Sequence, residues 1–91
     1  MEHESTKEAI ALNDKGNALY QLGNYQEAIK AYNEALKIDP KSVIVLNNKG
    51  NALRRMCCYM EMLEVCVEVI NIDENNETAR RNMAIAMPHL T

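Results

Sequence analysis

The sequence contains no phenylalanine and no tryptophan, and its four tyrosines are the only aromatic residues among 91. Stacking platforms for nucleic-acid bases are built from several aromatic side chains, so this composition argues against one. Basic residues are not in excess either, because thirteen Asp and Glu outnumber ten Lys and Arg and give a net charge of −3. Non-specific nucleic-acid binding needs a basic surface that releases counterions, so we expect no nucleic-acid partner.

Long apolar runs are also missing. No such run exceeds five residues, which is far too short to span a bilayer, so we expect no membrane partner. The chain starts with the polar, acidic segment MEHESTKE, which does not resemble a secretory signal. Its cysteines are odd in number, namely Cys57, Cys58 and Cys66. Free thiols are typical of reducing compartments, and we therefore expect a cytoplasmic protein.

Residues that would support catalysis or cofactor binding are scarce. The two histidines lie near opposite ends of the sequence and far from the cysteines, whereas zinc requires about four convergent ligands. There is no glycine-rich phosphate loop, and no Ser/His/acid or Cys/His group has a plausible arrangement. We therefore predict no catalytic residue, no metal site and no cofactor, and we do not expect an enzyme.

What the sequence does contain is helical periodicity. Apolar residues recur every three or four positions in five segments, which predicts five helices joined by short turns. Leu22 to Asn24 forms the first turn, and Pro40 ends the second helix, because the residue before proline is disfavoured in the α region. The predicted helices start at a Ser5 cap and then run over residues 25–38, 43–55, 59–72 and 76–87. Ser42 is predicted to cap the third helix, and Pro88 ends the last.

The helices repeat. When residues 9–42 are aligned without gaps to residues 43–76, thirteen of the 34 positions are identical. The identities are densest in the first helix of each copy, where LNxKGNAL occurs twice. A period of this length is typical of helical solenoids, in which each helix pair packs on the next.

The spacing of small and aromatic residues identifies the repeat. The first copy resembles a tetratricopeptide repeat at Gly16, Gly23, Tyr25, Ala28, Tyr32, Ala35 and Pro40. The resemblance implies an all-α solenoid of antiparallel helix hairpins wound as a right-handed superhelix. It divides the single domain 1–91 into repeat one at 9–42, a degenerate repeat two at 43–76 and a capping helix at 76–87. It also implies non-catalytic protein–protein interaction, as in a scaffold.

In this family the first helices line a concave groove. The polar residues predicted on that side are Asn13, Asn17, Tyr20, Asn47, Asn48, Asn51 and Arg55. Asparagine offers both a donor and an acceptor, which suits the backbone of an extended or C-terminal peptide of another protein. The alternative, an ordinary solvated groove, remains open at this point.

Some family members grip the C-terminal carboxylate of a chaperone tail. They use a Lys and an Asn in the first helix, an Asn in the third, and a Lys and an Arg in the fifth. Here Asn17 and Asn48 match the two Asn positions, whereas Asn13, Thr78 and Asn82 occupy the positions of the three cations. Because the cations are absent, the sequence does not favour this carboxylate clamp.

The second repeat departs from the pattern in its second helix. Apolar residues replace polar or small ones at Met60, Val65 and Val67, which widens the apolar arc to about 220°, where one packed face needs about 100°. We interpret these three side chains as an outward surface for self-association, most simply a dimer, with exchange of the last helices as one route. Scattered exposed apolar residues are the alternative.

Arrays of this kind usually need three or more repeats for stability. We therefore expect the chain to be part of a longer array or to be completed by a partner. Self-association through the second repeat is the favoured function on this reasoning, and a monomeric peptide-binding groove is the alternative.

Overall fold

The structure, a computed structural model, describes the backbone of residues 2–90 and the side chains of residues 5–90. It contains five α-helices and no strand within that range. The predicted bounds of the second, third and fourth helices are confirmed, whereas the first helix starts earlier than the predicted cap at Ser5. The helices are α1 (Glu2–Gln21), α2 (Tyr25–Ile38), α3 (Val43–Arg55), α4 (Tyr59–Ile72) and α5 (Glu77–Ala86), followed by a 3₁₀ turn (Met87–Leu90).

Each helix packs mainly on its neighbours in sequence. α1 lies against α2, α2 against α3, α3 against α4 and α4 against α5, while α3 also touches α1 and α5. The domain is therefore elongated, with extents of 45 × 29 × 17 Å. The predicted all-α solenoid fold is confirmed, and α1, α3 and α5 lie side by side along one surface.

Side-chain caps start α3 and α5. The hydroxyl of Ser42 accepts a hydrogen bond from the backbone N–H of Val45 at 3.3 Å, which confirms the predicted cap of α3. The side-chain oxygen of Asn76 does the same for α5, accepting from the N–H of Ala79 at 3.0 Å. Each cap satisfies a backbone donor that has no partner inside its helix.

The packing of α1 on α2 depends on one small residue. The ring of Tyr32 on α2 is buried directly against the backbone of Gly16 on α1, and a β-carbon at Gly16 would lie only 2.6 Å from its Cδ1 atom. In the second repeat Cys66 replaces the tyrosine, so a β-carbon at the equivalent Gly50 would meet Val65 at an ordinary 3.7 Å. The two glycines therefore match in sequence but not in the space around them.

α4 is enclosed on more sides than one packed face requires. It contacts α3, α5 and the 3₁₀ turn, and these contacts bury Met62, Val65, Cys66 and Val69. Burial raises the pKa of the Cys66 thiol. The expectation that Val65 faces outward is wrong: it is only 4% exposed, because it packs beside Gly50 on α3. Most of the wide apolar arc of α4 therefore belongs to the core.

α5 is rotated relative to the predicted orientation. Its sequence pattern predicts an apolar face of Ala79, Met83, Ala84 and Met87 and a polar face that includes Asn82. The structure buries Ala79, Asn82 and Ala86, and leaves Ala84 and Met87 exposed. Asn82 was expected on the polar face, yet it is 2% exposed, because it packs toward α3, with which it shares a hydrogen bond.

The turn after α3 carries backbone strain. Cys57 has a φ of 60°, in the left-handed region, where Gly23 with a φ of 82° occupies the equivalent turn of the first repeat. Both turns are closed by the same bond, from the N–H of the next residue to a helix carbonyl at 2.9 Å: Asn24 to Leu19, and Cys58 to Leu53. The second repeat therefore keeps the turn without the glycine, at a cost of about 1 kcal/mol.

Replacing Gly16 with alanine should destabilise the domain by about 1–3 kcal/mol, because the added β-carbon overlaps the buried Tyr32 ring and forces the ring or α1 to shift. Gly50→Ala is the matched control. It meets only ordinary contacts and gains helix propensity, so we expect it to be neutral or stabilising by up to about 1 kcal/mol. Chemical denaturation of both variants measures the difference in the free energy of unfolding. Equal stabilities would contradict the close contact between Gly16 and the Tyr32 ring.

Cys57→Gly should stabilise the domain by about 1 kcal/mol, because glycine adopts a positive φ without steric cost. Gly23→Ala should destabilise it by a similar amount, although no atom lies within 4 Å of the added β-carbon. Thermal unfolding under reducing conditions compares the two variants with the parent chain. A loss of stability in Cys57→Gly would show that the thiol contributes more than the backbone conformation costs.

Candidate functional site

A polar hollow lies between α1 and α3, on the surface along which α1, α3 and α5 lie side by side. Its volume is about 290 Å³, and its lining residues are Asn17, Tyr20, Gln21, Tyr32, Asn48 and Asn51. Four of the predicted groove residues are thus brought together, and none of the six lining side chains is charged. The hollow can offer hydrogen bonds and aromatic surface but no ion pair of its own.

Asparagine side chains link α1, α3 and α5. The Nδ2 of Asn48 on α3 donates to the Oδ1 of Asn13 on α1 at 3.0 Å. One step further along the solenoid, the Nδ2 of the buried Asn82 on α5 donates to the Oδ1 of Asn51 on α3 at 3.1 Å. Part of the predicted asparagine set therefore holds neighbouring repeats together.

Asn17 is held by a residue of the core. The hydroxyl of Tyr32 donates to the Oδ1 of Asn17 at 2.6 Å. Burial, and to a lesser extent the neighbouring Tyr20, raises the pKa of Tyr32 to about 12. The phenol therefore keeps its proton, which is the proton that it donates to the oxygen of Asn17.

These bonds leave a defined set of groups for a ligand. The side-chain oxygens of Asn13, Asn17 and Asn51 each accept one internal hydrogen bond, so each Nδ2 group remains a donor toward solvent. Asn48 has the opposite arrangement, since its Nδ2 is used internally and its oxygen is left. The groove therefore presents three oriented amide donors beside one acceptor.

Asn47 has a different role from the other predicted groove residues. Its Nδ2 donates to the Oδ1 of Asn76 at 3.2 Å, and that oxygen also caps α5. The structure does not place Asn47 in the hollow lined by Asn17 and Asn48. Its side chain instead ties α3 to the start of the capping helix.

Arg55 marks one end of the groove. Its guanidinium carbon lies 5.3 Å from the centre of the Tyr25 ring, a cation–π distance. The Tyr25 ring in turn meets Tyr20 edge to face, with 5.2 Å between ring centres. Through these two contacts Arg55 is connected to Tyr20, which lines the hollow.

The other end of the groove is apolar, which the sequence reasoning missed. A hollow of about 110 Å³ lies there, mostly apolar in lining, where Ile10 on α1 and Ile44 on α3 flank Asn13. Ile10 is 56% exposed and Ile44 is 68% exposed. The sequence did contain a signal for this apolar end: Ile10 and Ile44 are equivalent residues of the two repeats, and they lie on the same sides of α1 and α3 as Asn13 and Asn48.

Three further observations define what the site offers. At the two fifth-helix cation positions of the carboxylate clamp, Thr78 is half-buried and Asn82 is buried. Among the described residues, no three His, Cys, Asp or Glu side chains converge as metal ligands would. No helix in residues 2–90 has the length and hydropathy to cross a bilayer.

Comparison with known proteins agrees with this geometry. Residues 16–56 match the family model described as TPR repeat. The second TPR of Spaghetti (RPAP3), solved bound to the HSP90 peptide SRMEEVD, superposes with a TM-score of 0.89 at 24% identity, covering 96% of this chain and 81% of that one.

Two other solved structures are similar. The Arabidopsis OM64 TPR domain has a TM-score of 0.90 at 24% identity, over 94% of this chain and 71% of that one. The first TPR of Spaghetti (RPAP3), bound to the same peptide, has a TM-score of 0.89 at 23% identity, over 94% and 68%. At these identities the likeness shows the fold. The chain therefore has the fold of these TPR domains, with two helix hairpins closed by a capping helix.

Proposed function

We propose that the chain is a non-catalytic protein–protein interaction module that holds an extended peptide segment of another protein in the groove of α1 and α3. The observation that carries this proposal is the orientation of the amide groups of Asn13, Asn17 and Asn51. Their oxygens accept internal bonds, so their N–H groups are directed to donate to peptide carbonyls. Two similar structures that hold a peptide support the proposal.

Preorganisation favours such binding. Each of the three amides is already fixed by a bond inside the protein, so a ligand loses less side-chain entropy on binding than it would with mobile residues. From Ile10 to Tyr20 the groove follows ten residues of α1, or about 15 Å. An extended peptide covers that length with about five residues.

The proposed recognition differs from a carboxylate clamp. Asn13, Thr78 and Asn82 are uncharged at the three cation positions, and Asn82 is buried and bonded to Asn51. A terminal carboxylate would therefore find amide donors but no paired cations. We propose that the groove recognises backbone carbonyls along a segment rather than a chain end.

Replacing Asn17 or Asn51 with aspartate should abolish most peptide binding while keeping the fold. The carboxylate still accepts from Tyr32 or Asn82, but the donor facing the groove is lost and a negative charge meets the peptide carbonyls. Peptides selected from a random heptapeptide library should bind each variant at least about tenfold more weakly, given the loss of about 1–1.5 kcal/mol per hydrogen bond. Fluorescence anisotropy with labelled peptides measures the affinity.

Asn71→Asp is the matched control, because it makes the same change at an exposed position of α4 outside the groove. Its affinity should equal that of the parent chain, and circular dichroism should show all three variants folded. Unchanged peptide binding by both groove variants, or a library that yields no binding peptide, would remove the groove proposal.

Self-association through α4 is a second candidate, and exposed apolar side chains favour it. Met60 is 63% exposed and Val67 is 44% exposed, and seven residues apart they lie on one side of the helix. Val65 is buried and no longer belongs to this surface. We propose that a dimer, if formed, buries Met60 and Val67 against a second copy.

Val67→Glu should shift such a dimer to monomer, because a carboxylate would lose its hydration in an apolar interface. Ile72→Glu is the control, since Ile72 is equally exposed at 44% but lies on another side of α4. Mass measured by light scattering across a dilution series under reducing conditions gives the result. A parent chain that remains monomeric at the highest concentration would rule this candidate out.

A further inference from the structure

The two ends of the groove differ in chemistry, and neither end is explained by binding peptide carbonyls. We infer that the groove selects a segment that carries an aliphatic side chain and an acidic side chain about five residues apart. This inference rests on the proposed peptide binding. The aliphatic side chain enters the hollow between Ile10 and Ile44, and the acidic side chain meets Arg55.

The apolar end has the size and lining for one aliphatic side chain. Its volume of about 110 Å³ is several times the roughly 30 Å³ that one water molecule occupies. Its apolar lining comprises the buried Ala9 and Val45 and the exposed Ile10 and Ile44. The polar residues Thr6, Asn13, Asp39 and Ser42 complete the lining. Two exposed isoleucines at equivalent repeat positions around one hollow would be covered by such a side chain.

The opposite end carries an accessible cation. Arg55 is exposed, and its guanidinium carbon lies over the Tyr25 ring, 5.3 Å from the ring centre. The ion pair found among the described residues joins Lys30 to Glu27 on α2. Within that part of the chain, Arg55 therefore pairs with no carboxylate. A guanidinium that lies over a ring has N–H groups available for the two oxygens of a carboxylate.

The spacing of the two features sets the spacing in the ligand. Ile44 and Arg55 are eleven residues apart on α3, which corresponds to about 16 Å along the helix. An extended chain rises about 3.3 Å per residue, so its two side chains should be about five residues apart. The amide donors of Asn17 and Asn51 lie between these positions and meet the intervening backbone.

The acidic residue is excluded from the apolar end by charge. Asp39 lines that hollow, and its carboxylate would repel a second carboxylate placed there. Arg55 attracts an acid at the far end. The groove therefore fixes which ligand residue lies at which end, since reversing the two would place like charges together and leave Arg55 unpaired.

The test uses synthetic peptides with acetylated and amidated ends, in which leucine and glutamate stand five residues apart in a serine and glycine background. The blocked ends ensure that any carboxylate effect comes from the side chain. Replacing leucine with serine or glutamate with glutamine should each weaken binding to the parent chain about tenfold, and reducing the spacing to two residues should do the same. Fluorescence anisotropy measures each affinity.

Variants of the protein assign the effects to the two ends. Arg55→Glu should lose the preference for glutamate over glutamine and gain a preference for lysine at that position. Arg80→Glu changes the charge equally on the outer side of α5 and should leave all preferences intact. Ile44→Ser should lose the preference for leucine, and Ile72→Ser should retain it.

The outcomes separate this inference from the peptide-binding proposal. If library peptides bind and are weakened by Asn17→Asp, but leucine, glutamate and their spacing have no effect, the selectivity inference is overturned and the binding proposal stands. If Arg55→Glu and Arg80→Glu behave alike, the acidic residue does not meet Arg55. If no library peptide binds, both proposals fail together.

Discussion

The contact between the Tyr32 ring and the Gly16 backbone is the constraint on which the first repeat depends. It sets how closely α1 approaches α2, because no β-carbon can be fitted between them. The same tyrosine donates its hydroxyl to Asn17 and so fixes the direction of a groove amide. One buried side chain therefore determines both a helix–helix distance and the direction of a hydrogen-bonding group in the groove, which links packing in the core to the chemistry of the groove.

The second repeat builds the same hairpin from different parts. Cys66 replaces the tyrosine, and the branched Val65 fills space beside Gly50. The turn keeps its hydrogen bonds with Cys57 in a left-handed conformation. These exchanges are tolerated because α4 packs against α3, α5 and the 3₁₀ turn. Side chains from these three elements can fill the space that a smaller residue leaves.

The sequence predicted most of the fold, because local signals and the repeat agree. Pro40, Ser42 and the 34-residue period place three helices at their observed bounds. It failed for Val65 and Asn82, since a helical wheel assumes one packed face, whereas helices inside a solenoid have neighbours on several sides. Burial at such positions depends on which helix lies opposite, and a single repeat does not reveal that.

The residues that line the groove were predictable from the sequence, but the direction of their hydrogen bonds was not. Asn13, Asn17, Asn48 and Asn51 were identified from their positions, yet an amide can point either way, and only its partners decide between donor and acceptor. Those partners are distant in sequence: Tyr32 lies fifteen residues from Asn17, and Asn82 lies 31 from Asn51. Arg55 was identified too, but its position over the Tyr25 ring required the structure.

The internal use of the asparagine oxygens has a consequence for how such a groove can evolve. The fold needs an acceptor at Asn13, Asn17 and Asn51, and aspartate supplies one as well as asparagine does. A single-nucleotide change between these two residues would reverse what the groove attracts and leave the interior hydrogen bonds in place. Ligand preference can therefore drift among descendants of this scaffold while the selection that maintains its folding remains satisfied.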